Sequence, residues 1–367
     1  MAAVQTLRRT APLHRTVGGD FHPVAPAPSN VKDPRVKMIG FDRYGGSEVL
    51  ELRAAMVPRV GDHDVLVRVR AASLNPYDWH LMTGYPRLAR LDLGLVRPKV
   101  SGLGADLSGE VAEVGGAVTE FAPGDEVYGR CDQVPGAAIM DTRAVAEFVR
   151  VSPSSIRQKP AHLSHEEAAA APMAAITAVQ ALRHVSTVRP GTRVLVNGAS
   201  GGVGTFAVQL AVADGGHVTG VCSTANVDLV RELGAAEVID YTTTDATRTG
   251  GLYDIVLDNV GNASAARWRR VMASDGTYIM SYGRNDNRTL GPFGLLVRQF
   301  VLNRFVSQRL TSLQEPRRAE DLDELTALLE SRAIRPVVGR THAMADTAAA
   351  MDQMGTEHTR GKLVITI

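Results

Sequence analysis

The stretch Arg193–Ala211, "RVLVNGASGGVGTFAVQLA", decides the fold. It opens on a short apolar run, turns on a cluster of small residues, and closes on an apolar helical pattern. The turn reads Ala199-x-Gly201-x-x-Gly204, a GxGxxG with alanine in the first place. Small residues let the backbone turn tightly and approach a pyrophosphate, whose charge is met by the amides of a helix N-terminus. A glycine cluster alone says little in a chain with 35 glycines. A strand before it, a helix after it and further strand and helix signals downstream make it a dinucleotide site. Its cofactor-binding residues are then Ala199, Ser200, Gly201, Gly202, Val203 and Gly204.

Downstream of this turn the chain keeps alternating: "HVTGVC", a helix near Asp228, "EVID", "YDIVLDNV", a helix near Ala265, and "GTYIMS". Strands alternating with helices form βαβ units, so the fold class is α/β with a doubly wound parallel sheet. The ends of the fourth and fifth strands, Asn259 to Gly261 and Ser281 to Gly283, should border the nicotinamide, because ligands lie at the carboxyl edge of such sheets. The end of the second strand selects the dinucleotide. It offers Cys222, Ser223, Thr224, Ala225 and Asn226, with no acid before Asp228 to repel a 2′-phosphate. NADPH is therefore permitted, with Ser223 and Tyr241 as hydroxyl donors to it. Beyond lie "GPFGLLVRQFVLNRF", whose Phe293 to Phe305 read as a pocket lining or subunit contact or, through Leu296, Phe300 and Val301 or Arg304, as a packed core face, then a helix at "RAEDLDELTALLESR", and strands "IRPVVG" and "KLVITI".

Upstream, Ser164 and Glu167 form a capping box ahead of an Ala-rich helix that Pro172 should interrupt. From Val36 to about Val151 short apolar runs are cut by Gly, Pro and Asp, and the alternation of Val65, Val67 and Val69 reads as half-buried strand. That half is all-β. Residues 1–35 are set apart: Arg8, Arg9 and Arg15 precede any acid, and "HPVAPAPSNVKDP" follows. With little Ser and no apolar h-region, the segment reads as a disordered tail or an early start codon rather than a presequence.

Composition narrows the classes. Lys and Arg number 40 against 39 Asp and Glu, so no basic footprint selects nucleic acid or an anionic membrane. No stretch approaches the ~18 to 20 apolar residues of a membrane span. Two cysteines exclude a disulfide framework and suit a reducing compartment, and a cytoplasmic location is the expectation.

On "AASLNPYDWHLMTG", "GLGADLSGEVAEVG", "FAPGDEVYG", "NGASGGVGTFAVQLA", "VIDY", "VLDNVG" and "GKLVITI", the chain from about Val36 onward resembles the medium-chain dehydrogenase/reductase superfamily, in its quinone oxidoreductase branch. The resemblance implies a GroES-like β domain over residues 36–160, completed by 334–367, and a Rossmann domain over 161–333, with the active site in the cleft. It also implies NADPH-dependent reduction of quinones or α,β-unsaturated carbonyls by a homodimer. An alcohol dehydrogenase and a non-catalytic NADPH-binding protein are the alternatives. Close relatives often carry Arg or Lys at the position of Ala225, which weakens the preference for NADP without supplying a determinant for NAD.

Laid against the zinc-dependent branch, Asn75 stands at the first ligand position, Ala105 at the second and Met173 at the third. A catalytic zinc needs three N, O or S ligands and an open site, so no metal site is expected. Asp78 and His80 are spaced i, i+2 and do not share a helix face; they read as scaffolding of a loop-to-helix junction. Without a Lewis acid, hydrogen bonds must stabilise the charge that develops on the acceptor oxygen. Asn75 is the leading catalytic candidate, since an amide donates without titrating. Tyr85 and Thr177 follow it. Tyr85 stands one residue short of the family's Gly-x-Tyr register, and the resemblance places Thr177 where the superfamily has a Thr near the nicotinamide. Tyr77 is a candidate pocket wall.

Overall fold

The computed structural model describes residues 35–132, 141–281, 299, 301–313, 318–356 and 359–367. Residues 1–34 of the expected tail, Gly283, Phe293, Leu296 and Phe300 lie outside the described residues. Two strands, β1 (Arg35–Gly40) and β2 (Glu51–Met56), pair as a small antiparallel sheet. Strand β1 thus takes in Arg35, the last residue assigned to the tail.

The next five strands are β3 (Val65–Leu74), β4 (Asp106–Val114), β5 (Glu126–Arg130), β6 (Phe148–Val151) and β7 (Ile156–Gln158). They join β14 (Val338–Ala343) and β15 (Lys362–Thr366) in one sheet of order β14-β15-β3-β4-β5-β7, with β6 also on β3. Only the middle of β3 alternates. Val67 and Val69 are buried while Arg68 and Arg70 are exposed, and Ala71 to Leu74 are buried on both faces. The continuous run marks where helices cover the second face. Ala71 and Val364 there pack against Ala169 and Ala170, at the end of the helix His165–Ala169.

The second sheet holds β8 (Arg193–Asn197), β9 (His217–Cys222), β10 (Glu237–Asp240), β11 (Tyr253–Asp258), β12 (Met272–Met280) and β13 (Arg309–Ser312) in the order β10-β9-β8-β11-β12-β13. All its pairings are parallel. Strand order reverses between β8 and β11, which opens a crevice at their carboxyl ends. Val194, Val196, Phe206, Ala207, Leu210 and Ile255 are among the residues that fill its main core.

The capping box forms: Ser164 Oγ accepts from the Glu167 amide at 3.2 Å, and Glu167 Oε2 from the Ser164 amide at 2.9 Å. The helix stops at Ala169 and restarts at Pro172, running to Val179. The strand expected over "IRPVVG" instead begins at Val338. Pro336 has no N–H to give a ladder, and Ile334 is spent in the core of the parallel-sheet unit. Val301 and Arg304 are exposed, so that part of the expected core face is turned to solvent.

Candidate functional site

The Gly-rich turn joins β8 to the helix Gly202–Ala213. Gly198 takes φ +75°, a left-handed conformation that favours glycine. A Cβ on Gly204 would lie 2.0 Å from the Gly198 carbonyl oxygen, so the helix and turn touch there backbone to backbone. Gly201 is the N-cap residue, and among the described residues no side chain caps this helix. Its first amides have no partner within the helix. Ala199 is buried, whereas Ser200, Gly201, Gly202 and Val203 are half-buried.

The edge of the crevice at β11 is tied together by one carboxylate. Asp258 is fully buried at the end of that strand and its carboxylate accepts five hydrogen bonds. Oδ1 takes Asn197 Nδ2 (2.8 Å), the Val260 amide (3.0 Å) and the Gly261 amide (2.9 Å), while Oδ2 takes Trp268 Nε1 (3.1 Å) and the Tyr278 hydroxyl (2.8 Å). Burial, and then the neighbouring carboxylate, hold the Tyr278 hydroxyl well above its ordinary pKa. Beyond Asp258, Ser281 Oγ donates to Asn259 Oδ1 at 2.5 Å, which turns the amide nitrogen the other way. Among the described residues Asn259 Nδ2, which is buried, has no hydrogen-bond partner. An orphaned donor at this edge fits a site built for a ligand oxygen.

On the β9 side, Ser223 Oγ accepts from Asn226 Nδ2 at 3.1 Å. Tyr241 is 41% exposed. A cavity of about 310 Å³ lies there, lined among others by Val221, Tyr241, Thr242, Asn262 and Trp268.

Facing the turn from the other sheet is a buried polar network. Asn75, 3% exposed, caps the helix Pro76–Thr83, and Asp78 closes the capping box by accepting from the Asn75 amide at 2.8 Å. Asn75 Nδ2 donates to Asp106 Oδ2 at 3.0 Å, and Asn75 Oδ1 accepts from Lys362 Nζ. Asp106 also accepts from Ser73 Oγ and from the Met173 amide, each at 3.0 Å. Lys362, 4% exposed, further donates to the Leu74 carbonyl at 3.1 Å and lies 3.8 Å from Asp106 Oδ2. Burial lowers the pKa of the ammonium while Asp106 and Asp78 pull it back up. Burial pushes the Asp78 carboxyl up to about 7, against the opposing amides of Asn75 and Gly104.

These contacts sort the residues expected from sequence. Asn75 is joined through Asp106 and Met173 to Thr177, whose hydroxyl donates to the Met173 carbonyl at 2.7 Å within its own helix. Asn75 is joined through Lys362 to the Gly-rich turn, because a Cβ on Gly202 would fall 2.8 Å from Lys362 Cδ. Tyr85 is turned elsewhere: its ring stacks on His80 with centroids 5.8 Å apart and meets Trp79 edge-on. Tyr77 packs at the rim of the β-domain core. Asp78 spends its two oxygens on the Asn75 and Gly104 amides, and His80 Nδ1 lies 2.8 Å from the Tyr85 carbonyl, so the two do not converge. Asp106, Lys362 and Asp258 were not singled out from sequence. Each leaves a trace there: an acid beside Ala105, a lysine opening an apolar strand, and an acid ending one.

The chain is similar to known proteins over most of its length. Residues 61–161 match the alcohol dehydrogenase GroES-like domain, and residues 233–365 match a family described as zinc-binding dehydrogenase. A mitochondrial NAD(P)H oxidoreductase of Mus musculus is 34% identical over 357 residues, covering 89% of this chain and 88% of the relative. A chloroplastic quinone-oxidoreductase homolog of Spinacia oleracea is 30% identical, covering 88% of this chain and 95% of the relative. The solved structure of the quinone oxidoreductase from Coxiella burnetii superposes with a TM-score of 0.78 at 30% identity, covering 91% of this chain and 99% of that one.

Proposed function

This chain belongs to the medium-chain dehydrogenase/reductase superfamily, on its quinone oxidoreductase-like branch, and on that footing we propose that it reduces quinones or α,β-unsaturated carbonyls with NADPH and without zinc. It is an NAD(P)H-binding oxidoreductase by membership; the acceptor, the choice of NADPH and the absence of zinc are our reading.

One observation carries it. The positions that hold zinc in the metal-dependent branch present a carboxamide, a methyl group and a thioether, and the carboxamide is already held between Asp106 and Lys362. Such a donor set does not fit a catalytic zinc. Chemistry without a Lewis acid then suits acceptors whose own π system spreads the incoming charge.

The bound cofactor supplies a hydride, and the chain's residues bind and orient. The uncapped amides after Gly201 meet the pyrophosphate. Tyr241 lines the cavity on the β9 side, where we place the adenosine half, Ser223 follows the end of β9, and no carboxylate ends β9 to repel a 2′-phosphate. Asn259, Gly261 and Ser281 border the nicotinamide half, with Asn259 Nδ2 as a donor held ready. Asn75 has one amide hydrogen on Asp106, and the second is the donor we assign to the acceptor oxygen. The hydroxyl of Thr177 and the ring of Tyr85 are engaged within their own segments, so we give them shaping roles. Cys131 and Cys222 are both buried and unpaired, which suits a reducing compartment.

The test uses chelator-treated, dialysed protein with NADPH or NADH and a panel of quinones, enones and aldehydes. We expect turnover without metal, faster with NADPH. Asn75→Ala should lose at least tenfold in kcat while NADPH Kd stays within threefold. Restoration by zinc, or aldehyde as the best acceptor, would favour an alcohol dehydrogenase.

A further inference from the structure

The three positions compared above with zinc ligands meet around Asp106. Its Oδ2 takes the Asn75 amide, its Oδ1 takes the Met173 N–H, and Ala105 precedes it in the chain. The cation of this cluster is Lys362. Its backbone leaves from beside the dinucleotide turn: the Gly361 amide donates to the Ser200 carbonyl at 2.7 Å, and Gly361 forms a parallel bridge with Gly201. The side chain then runs past Gly202, close enough that a Cβ there would meet Lys362 Cδ at 2.8 Å, and ends on Asn75 Oδ1. One side chain thus spans from the cofactor turn to the amide assigned to the acceptor.

An amide set between charges of opposite sign has one stable orientation. Oxygen faces the ammonium and nitrogen faces the carboxylate; a flip sets N–H against N–H and oxygen against oxygen, losing both charge-assisted bonds. The Nδ2 hydrogen not used by Asp106 then has a fixed direction. We propose that Lys362 is a positioning residue, which fixes the orientation of the Asn75 amide and ties it to the seat of the dinucleotide turn. The inference rests on the reading of Asn75 as donor to the acceptor oxygen.

A double-mutant cycle tests it, with NADPH and 1,4-benzoquinone as substrates and NADPH affinity followed separately by fluorescence titration. Lys362→Met and Asn75→Ala are each expected to lower kcat at least tenfold, and the double variant to fall no lower than Asn75→Ala within threefold. A merely structural lysine would give losses that multiply. The pH profile is a second readout. Wild-type kcat should decline on the alkaline side as the ammonium loses its proton and the amide loses its lock, and Asn75→Ala should lack that limb.

If Asn75→Ala keeps full turnover, the assignment of Asn75 itself falls. If it loses turnover while Lys362→Met does not, or if the two losses multiply, the assignment of Lys362 falls alone. Removing one partner of a buried charge pair can unfold a protein. Should Lys362→Met not fold, Lys362→Met with Asp106→Asn removes both charges, and adding Asn75→Ala to that background should change kcat less than threefold. A tenfold further loss there overturns the proposal.

Discussion

Substituting Asp258→Asn at the end of β11 tests whether the rim of the crevice is held by one buried carboxylate. The amide keeps one oxygen. Its better orientation leaves Oδ1 on Asn197 Nδ2 and the Val260 and Gly261 amides, and sets Nδ2 against Trp268 and Tyr278. The Tyr278 hydroxyl can rotate to accept from Nδ2, whereas Trp268 Nε1 can only donate and is left facing another N–H. An orphaned buried donor costs about 1 to 3 kcal/mol, and the three bonds that remain lose their charge assistance. Relief of the buried charge offsets part of this, so we expect a net loss of about 2 to 4 kcal/mol and a Tm lower by roughly 5 to 10 °C. Tyr278→Phe removes one donor and leaves Oδ2 with Trp268, so it should cost less, about 1 to 2 kcal/mol. Differential scanning calorimetry and fluorescence titration with NADPH are the assays. Cofactor affinity should weaken as well, because Val260 Cγ2 lies 2.8 Å from where a Cβ on Gly198 would stand. An Asp258→Asn protein melting within 1 °C or so of wild type, or a Tyr278→Phe variant less stable than it, would refute the reasoning.

Two further outcomes follow from the same geometry. Ser223→Asp puts a carboxylate at the end of β9, where it repels a 2′-phosphate and can accept from a ribose hydroxyl; NADPH Kd should rise more than tenfold with NADH Kd unchanged or lower, and equal weakening of both would place the 2′-phosphate elsewhere. The Asp78 carboxyl lies at about 7 in the folded chain against an ordinary 3.8, so between those values the folded state holds a proton that the unfolded chain has lost. Its contribution to stability is fully present below about pH 4 and is lost as pH rises to 7; urea midpoints of wild type and Asp78→Asn should diverge across that window, and parallel profiles would show that Asp78 does not titrate there.

Much of the fold could be read from the sequence because its determinants are local. The close backbone contact at Gly204, the Ser164–Glu167 capping box and the break at Pro172 are demands of a few consecutive residues on their own backbone. That the sheet of β8 to β13 is parallel follows from the alternation of strands and helices, its order does not, and the family resemblance supplied the partition into two domains. The misplaced strand at "IRPVVG" failed on a local rule too, since the proline inside it has no N–H to pair.

The site was legible on one side only. Asn75 stood out because of its place in a motif, but the groups that fix its amide are far along the chain. Asp106 is 31 residues away and Lys362 is 287. A lysine that opens an apolar strand reads as a solvated strand end, which is the usual place for a charge. The antiparallel pairing of β15 with β3, which sets Leu363 opposite Leu74, brings it inside. That register puts Lys362 beside Asn75 while Gly361 closes on the dinucleotide turn. The same pairing that completes the β sheet therefore carries the cation inside. A shift of one residue would point Lys362 to the other face, and Asp106 would keep its carboxylate buried without the ammonium that now lies 3.8 Å from it. The terminal strand thus specifies both the sheet and the charge balance of the site, and the two requirements constrain the same five residues, Lys362–Thr366.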